Sequence, residues 1–262
     1  MLHSCPIDMR RLIMLAALAA GCGFAADALR YEAKAVERKT PACSDEHLPC
    51  TYARIEWIEV VSGPPTVRAR INRAILEALE ADPEKDKASG TPTPAPAEMA
   101  DAFIRNYLDE KRPESEIGWS LDTGAKVLRN RPPVFSLQYS SDSFAGGAHG
   151  NANVWYLNLD TANGRRLALA DVLVEGAVPR LTAISERYFR KERELSPNAD
   201  LKAAGFWWPD GRFHLNENFG IQDQSLVFFY NQYEIASYAD GPTEIEIPFR
   251  EIRELLRPEY RN

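Results

Sequence analysis

The sequence lacks an apolar run long enough to cross a bilayer as a helix. Its longest, Leu12 to Ala20, falls well short of the roughly 20 residues required. The G-x-S-x-G elbow, the phosphate-binding P-loop, the H-E-x-x-H zinc motif and the dinucleotide glycine fingerprint are all missing. With them go the sequence signatures of several large hydrolase, nucleotide-binding and dehydrogenase classes. Histidine is scarce, at 4 in 262 residues, and no pair of histidines stands at metal-ligand spacing. Positive charge is the minority: 31 Lys and Arg face 38 Asp and Glu, for a net charge of -7. That balance argues against nucleic acid as a partner, because phosphate binding rests on clustered cations. Gly at 15 and Pro at 18 are too few for a collagen-like or low-complexity chain, and 45% hydrophobic residues supply a sizeable core.

What is present begins with an export signal. Arg10 and Arg11 precede the short apolar run, which ends in small residues, the pattern of a secretory signal peptide. The segment Leu18-Ala19-Ala20-Gly21-Cys22 resembles a bacterial lipobox, with Ala19 where leucine is usual. The resemblance implies lipidation of Cys22 and, since Gly23 is not aspartate, a periplasmic chain anchored to the outer membrane; the alternative is cleavage at an ordinary signal-peptidase site near Phe24-Ala25-Ala26 or Ala26-Asp27-Ala28. Cleavage before Cys22 removes Arg10, Arg11 and Asp8 and leaves the chain one unit more acidic. Of the 4 cysteines, Cys43 and Cys50 then remain, flanking a polar, turn-rich segment that contains His47. In an oxidising compartment they are expected to form a local disulfide. A metal site built on the pair and His47 is the rival reading, weakened by the lack of a second Cys/His pair.

The organisation expected is a signal peptide over 1–22, a lead-in with the disulfide over 23–50, an N-terminal domain over 51–130 and a C-terminal domain over 131–256. The lead-in is charged and reads as irregular. Tyr52–Val60 alternates like a half-buried strand, and Val67, Ile71, Ile75 and Leu79 recur at helical spacing behind Thr66 as a candidate N-cap. Proline-rich 82–96 reads as a loop or linker, followed by a helix around 98–109. Strands are expected over 117–128, 134–140 and 153–159, then a turn at Asp160–Gly164 and a helix over 178–193. Further strands are expected over 212–218, 225–230 and 243–248, with a short helix over 251–256. Paired strands between separated helices imply an α+β fold with antiparallel sheets and a few packed helices, in two small subdomains.

Two segments stand out as candidate sites. Gly146, Gly147 and His149 lie in Phe144-Ala145-Gly146-Gly147-Ala148-His149-Gly150, where glycines permit positive φ. His149 is either a turn residue or, with a nearby carboxylate, an acid–base pair acting on peptidoglycan. The second segment holds Tyr230, Asn231, Tyr233, Glu234, Tyr238 and Asp240. Tyrosine combines a large contact area with a polar tip and is enriched at interfaces. Either these tyrosines face a partner, or Tyr230 and Tyr233 point inward while Tyr238 covers the loop. Trp207-Trp208-Pro209 suits an exposed contact or a buried cover equally.

The series Gly146–Gly150, Arg166–Leu173, Asn231–Gly241 and Ile245–Pro248 resembles the RsiV-like ectodomain family, the C-terminal domain of an anti-sigma factor. Residues Tyr52–Leu79 are similar to the N-terminal domain found in the PdaC-type deacetylases. The resemblance implies an α+β fold and a lysozyme-binding ectodomain. It does not bring the deacetylase catalytic domain with it, and no cofactor is expected. The partner implied is lysozyme or another cationic protein acting on the cell wall. A structural envelope lipoprotein is the alternative.

Overall fold

The computed structural model describes residues 28–44, 50–79, 93–110 and 117–261. The expected signal peptide, Cys22, His47 and most of the 82–96 linker lie outside the described residues. Eight strands and five helices are described. They form a five-stranded sheet in the order β1-β2-β3-β4-β5 and a three-stranded sheet in the order β6-β7-β8. The fold is α+β.

The first sheet is built from β1 (Tyr31–Lys39), β2 (Tyr52–Val60), β3 (Ser120–Arg131), β4 (Val134–Phe144) and β5 (Asn151–Asp160). Its pairs are antiparallel except β2 with β3, which run parallel over Tyr52–Ile55 and Ser120–Thr123. A parallel pair needs a crossover, and here it contains α1 (Pro65–Leu79) and α2 (Pro96–Glu110). Ile71 and Ile75 of α1 pack with Ile55, Phe135, Leu137 and Leu159 into one core. The expected N-cap Thr66 lies inside the first turn instead, because Pro65, with φ already set, begins the helix.

Position 130/131, where the sequence suggests a domain boundary, falls at the last pairs of the β3–β4 hairpin, Asn130 with Phe135 and Arg131 with Val134. The sheet therefore runs across it. The lead-in read as irregular contains β1. Its charged residues hid it, since an edge strand with one half-buried face needs little apolar alternation. Cys43 and Cys50 are joined by a disulfide just before β2.

The second core lies under α4 (Val178–Glu192), which covers β8 (Thr243–Pro248). Leu181 and Phe189 meet Leu226, Phe228 and Tyr230 of β7 (Ser225–Tyr230) and Ile245 and Ile247 of β8. The short helices α3 (Leu169–Val172) and α5 (Phe249–Ile252) close its ends, and β6 is Phe219–Ile221. The strand expected over 212–218 is absent. There the chain is irregular, and its asparagine side chains take the hydrogen bonds that a ladder would have taken. The turn at Asp160–Gly164 forms as expected. Gly164 N donates to Asp160 O at 2.8 Å, and a side chain on Gly164 would meet Val67 O at 3.1 Å, with φ at +73°.

Side-chain amides join the two sheets. Asn231 accepts from Val154 N (2.8 Å) and donates to Val154 O (3.0 Å). Asn218 accepts from Tyr156 N (3.1 Å) and donates to Val154 O and Phe229 O. Buried Asn158 accepts from Ser136 Oγ and Ile221 N and donates to Phe219 O. Gly220 makes the close approach possible, because a Cβ there would stand 2.7 Å from the Tyr156 ring.

Candidate functional site

The two loops singled out in the sequence meet on one surface. The turn after β4 carries Gly146 and Gly147 at φ +82° and +111°, a path that β-carbon-bearing residues rarely follow. It delivers His149 to the loop that follows β7. Asn231 begins that loop and fixes it to β5 through the Val154 clamp. Glu234 closes it from within: Asn231 N donates to Glu234 Oε2 (2.8 Å), Asn216 Nδ2 to Glu234 Oε1 (2.7 Å), and Glu234 N to Asn231 O.

Between those two anchors Tyr233 adopts φ +63°, in the left-handed region, and its side chain stays 53% exposed. A tyrosine there costs roughly 1 kcal/mol or more of backbone strain. The rings of His149 and Tyr238 stack at 4.1 Å and 25°, and Tyr233 lies 5.6 Å from Tyr238. His149 Nδ1 is 2.8 Å from Gly150 O, a carbonyl that only accepts, so this nitrogen carries a proton. In the neutral imidazole Nε2 then accepts from the Tyr233 hydroxyl at 3.4 Å. Tyr238 donates to Gly150 O at 3.5 Å. Asp240 is exposed at the edge of the loop, its carboxylate accepting from Ser237 Oγ.

Tyr230 is not part of this surface, although the sequence grouped it with Tyr233 and Tyr238. It is the last residue of the middle strand β7, is 1% exposed, and donates to His214 O at 2.7 Å. Burial, reinforced by Glu234, holds its phenol far above the usual range. Its ring joins Phe189, Trp208 and Phe213 in the second core. The tryptophan pair divides in the same way. Trp208 is half-buried against that core, while Trp207 is 47% exposed and donates from Nε1 to Glu234 O at 3.2 Å. Trp207 is thus exposed and hydrogen-bonded to the backbone of the loop that carries Tyr233. Nothing in the dipeptide alone tells which indole turns outward.

A separate polar cleft of about 560 Å³ lies between α4 and residues 199–213. Its wall residue Arg190 is consumed by structure, bonding Glu186 and the carbonyls of Ser196 and Ala199. Near it, His214 Nε2 meets the Asp210 carboxylate at 2.9 Å, which holds that carboxyl below the usual carboxylate range. Among the described residues no three His, Cys, Asp or Glu side chains cluster to hold a metal ion. No helix among them is long and apolar enough to cross a membrane.

Residues 170–250 match a family model described as a protein of unknown function (DUF3298), and this span carries α4, β6 to β8 and the tyrosine loop. No curated protein matches the chain. Two solved structures share its fold. A member of the DUF3298 family from Bacteroides fragilis NCTC 9343 is 20% identical, with a TM-score of 0.68 over 90% of this chain and 96% of its own. A DUF3298 family protein from Pseudomonas aeruginosa PAO1 is 25% identical, with a TM-score of 0.64 over 89% of this chain and 97% of its own. The fold described above is therefore shared with both over nearly its whole length.

Proposed function

We propose that the chain is an exported, lipid-anchored envelope protein of the RsiV-like type, with a PdaC-type N-terminal domain. Its aromatic shelf binds a cationic protein that acts on the cell wall, lysozyme being the first candidate. One observation carries the reading. Tyr233 is held exposed in a strained backbone and packed against Tyr238 of its own loop and against His149, which arrives from the 146–150 turn. Strain of this kind persists where surrounding contacts over-determine it, as at binding sites. Rigid aromatics supply contact area at low entropic cost and offer their faces to Lys and Arg. Glu234 and Asp240 at the shelf and the net charge of -7 favour encounter with a cationic surface. The polar atoms that engage His149 are a carbonyl and a phenol, which suit positioning a ring better than activating water.

Calorimetric titration of the purified protein with a c-type lysozyme tests the reading. The expected result is sub-micromolar binding at low salt that weakens as the Debye length shortens to about 8 Å at physiological ionic strength. Absence of heat and of any displaced signal at low salt overturns lysozyme as the partner.

A further inference from the structure

The sheet edges are finished in different ways. On β5, Val154 N and O and Tyr156 N are taken by asparagine side chains, and Asn158 O accepts from Leu167 N at 2.8 Å. Strand β6 lies against β4 and β5. Strand β8 is six residues long, presents Glu244 and Glu246, and ends at Pro248, features that discourage further pairing. Strand β1 is nine residues long and stands at the end of the first sheet with β2 on one side.

The ladder between β1 and β2 tells which groups point outward. Thr40 N donates to Thr51 O, and Val61 N donates to Arg30 O, so even-numbered residues face β2. Tyr31, Ala33, Ala35, Glu37 and Lys39 therefore aim their N–H and C=O groups away from the sheet. Among the described residues these groups meet one donor, Arg38 Nη1 on Glu37 O at 3.1 Å.

We propose that β1 pairs antiparallel with β1 of a second copy, about a two-fold axis at Ala35, making one continuous sheet across the dimer. A two-fold that continues a sheet stands perpendicular to it, so odd-numbered residues meet odd-numbered ones. Centred on Ala35, the five outward-facing residues pair completely, giving about ten hydrogen bonds. The charges select this register. It sets Glu32 opposite Arg38 twice, in non-hydrogen-bonded positions where Cα atoms approach to about 4.5 Å. It also sets Tyr31 opposite Lys39 and Lys34 opposite Val36. Shifting the centre to Lys34 opposes that lysine to itself, and shifting it to Val36 opposes Lys34 to Arg38 twice; both are repulsive. Arg38 has a nitrogen to spare for the contact, since Nε is on Asp101 and Nη1 on Glu37 O.

Sedimentation equilibrium of the purified protein between about 1 μM and about 100 μM tests this directly. The expected species is a dimer. Ala35→Pro removes an outward N–H from each copy, and edge strands tolerate proline, so it should weaken association about tenfold or more while the variant monomer still unfolds cooperatively. Glu32→Arg, which places arginine opposite Arg38, should do the same without any change to the backbone. A monomer at every concentration, or a dimer that both variants leave intact, overturns the proposal.

Discussion

At the scale of single residues, Tyr233 separates stability from function. Glycine at a left-handed position relieves the Cβ clash but adds freedom to the unfolded chain. Tyr233→Gly is therefore expected to leave unfolding free energy unchanged or raise it by up to about 1 kcal/mol, measured by urea denaturation. A loss of 2 kcal/mol or more, on the order of a buried side chain, would mean that the ring is structural. The sequence made the loop's composition legible but not the division of labour among its tyrosines. Tyr230, Tyr233 and Tyr238 are chemically identical, and what separates them is position. Tyr230 still belongs to β7, which is covered on both faces, whereas Tyr233 lies past the Asn231 clamp. His149 was visible as an unusual turn residue. Its partner rings, Tyr233 and Tyr238, come from 84 and 89 residues away, and such distances leave no local trace.

At the scale of elements, the sequence was most informative where a strand or helix buries a regular face. Strands β2, β7 and β8 appear with the expected bounds, and α1, α2 and α4 within a residue or two. It was least informative where polar residues do the structural work, as at β1 and at Asn216 and Asn218. The end of α4 shows another such compromise. Leu195 N bonds Arg190 O at 2.7 Å and Glu194 N bonds Lys191 O at 3.1 Å, the paired closure that calls for a left-handed residue, and Glu194 takes it at φ +53°. Glu194→Gly should raise stability by about 1 kcal/mol. A thermal melt that is unchanged or lower would contradict the assignment. At the start of α3, Asp171 accepts from Arg165 Nη1 (2.7 Å) and from Ala168 N (2.8 Å). The Arg165 hydrogen bond first, and then the amide, hold its carboxyl below the ordinary value. A depressed carboxyl stabilises the fold above its unfolded pKa and loses that contribution as pH falls through the folded value. Asp171→Asn should therefore cost about 1 kcal/mol at neutral pH, discounted for an exposed arginine partner, and the gap to wild type should close as pH falls through and below the ordinary carboxylate range. A constant gap across that range would remove the charge from the account.

At the scale of the whole molecule, the two sheets are distinct layers held together by amide clamps, and the shelf sits where those clamps end. The acidic balance and the α+β class could be read from composition and pattern alone. The meeting of the 146–150 turn with the 230–241 loop depends on how β5 docks against the second sheet, which no single segment encodes. The proposed contact for a cationic partner is the shelf, and Tyr233 above all. The most direct measurement is calorimetry of wild type and Tyr233→Gly against a c-type lysozyme at one low salt concentration. The account predicts binding weakened at least tenfold, about 1.4 kcal/mol, in a variant that remains fully folded. Equal affinities for the two proteins would contradict it.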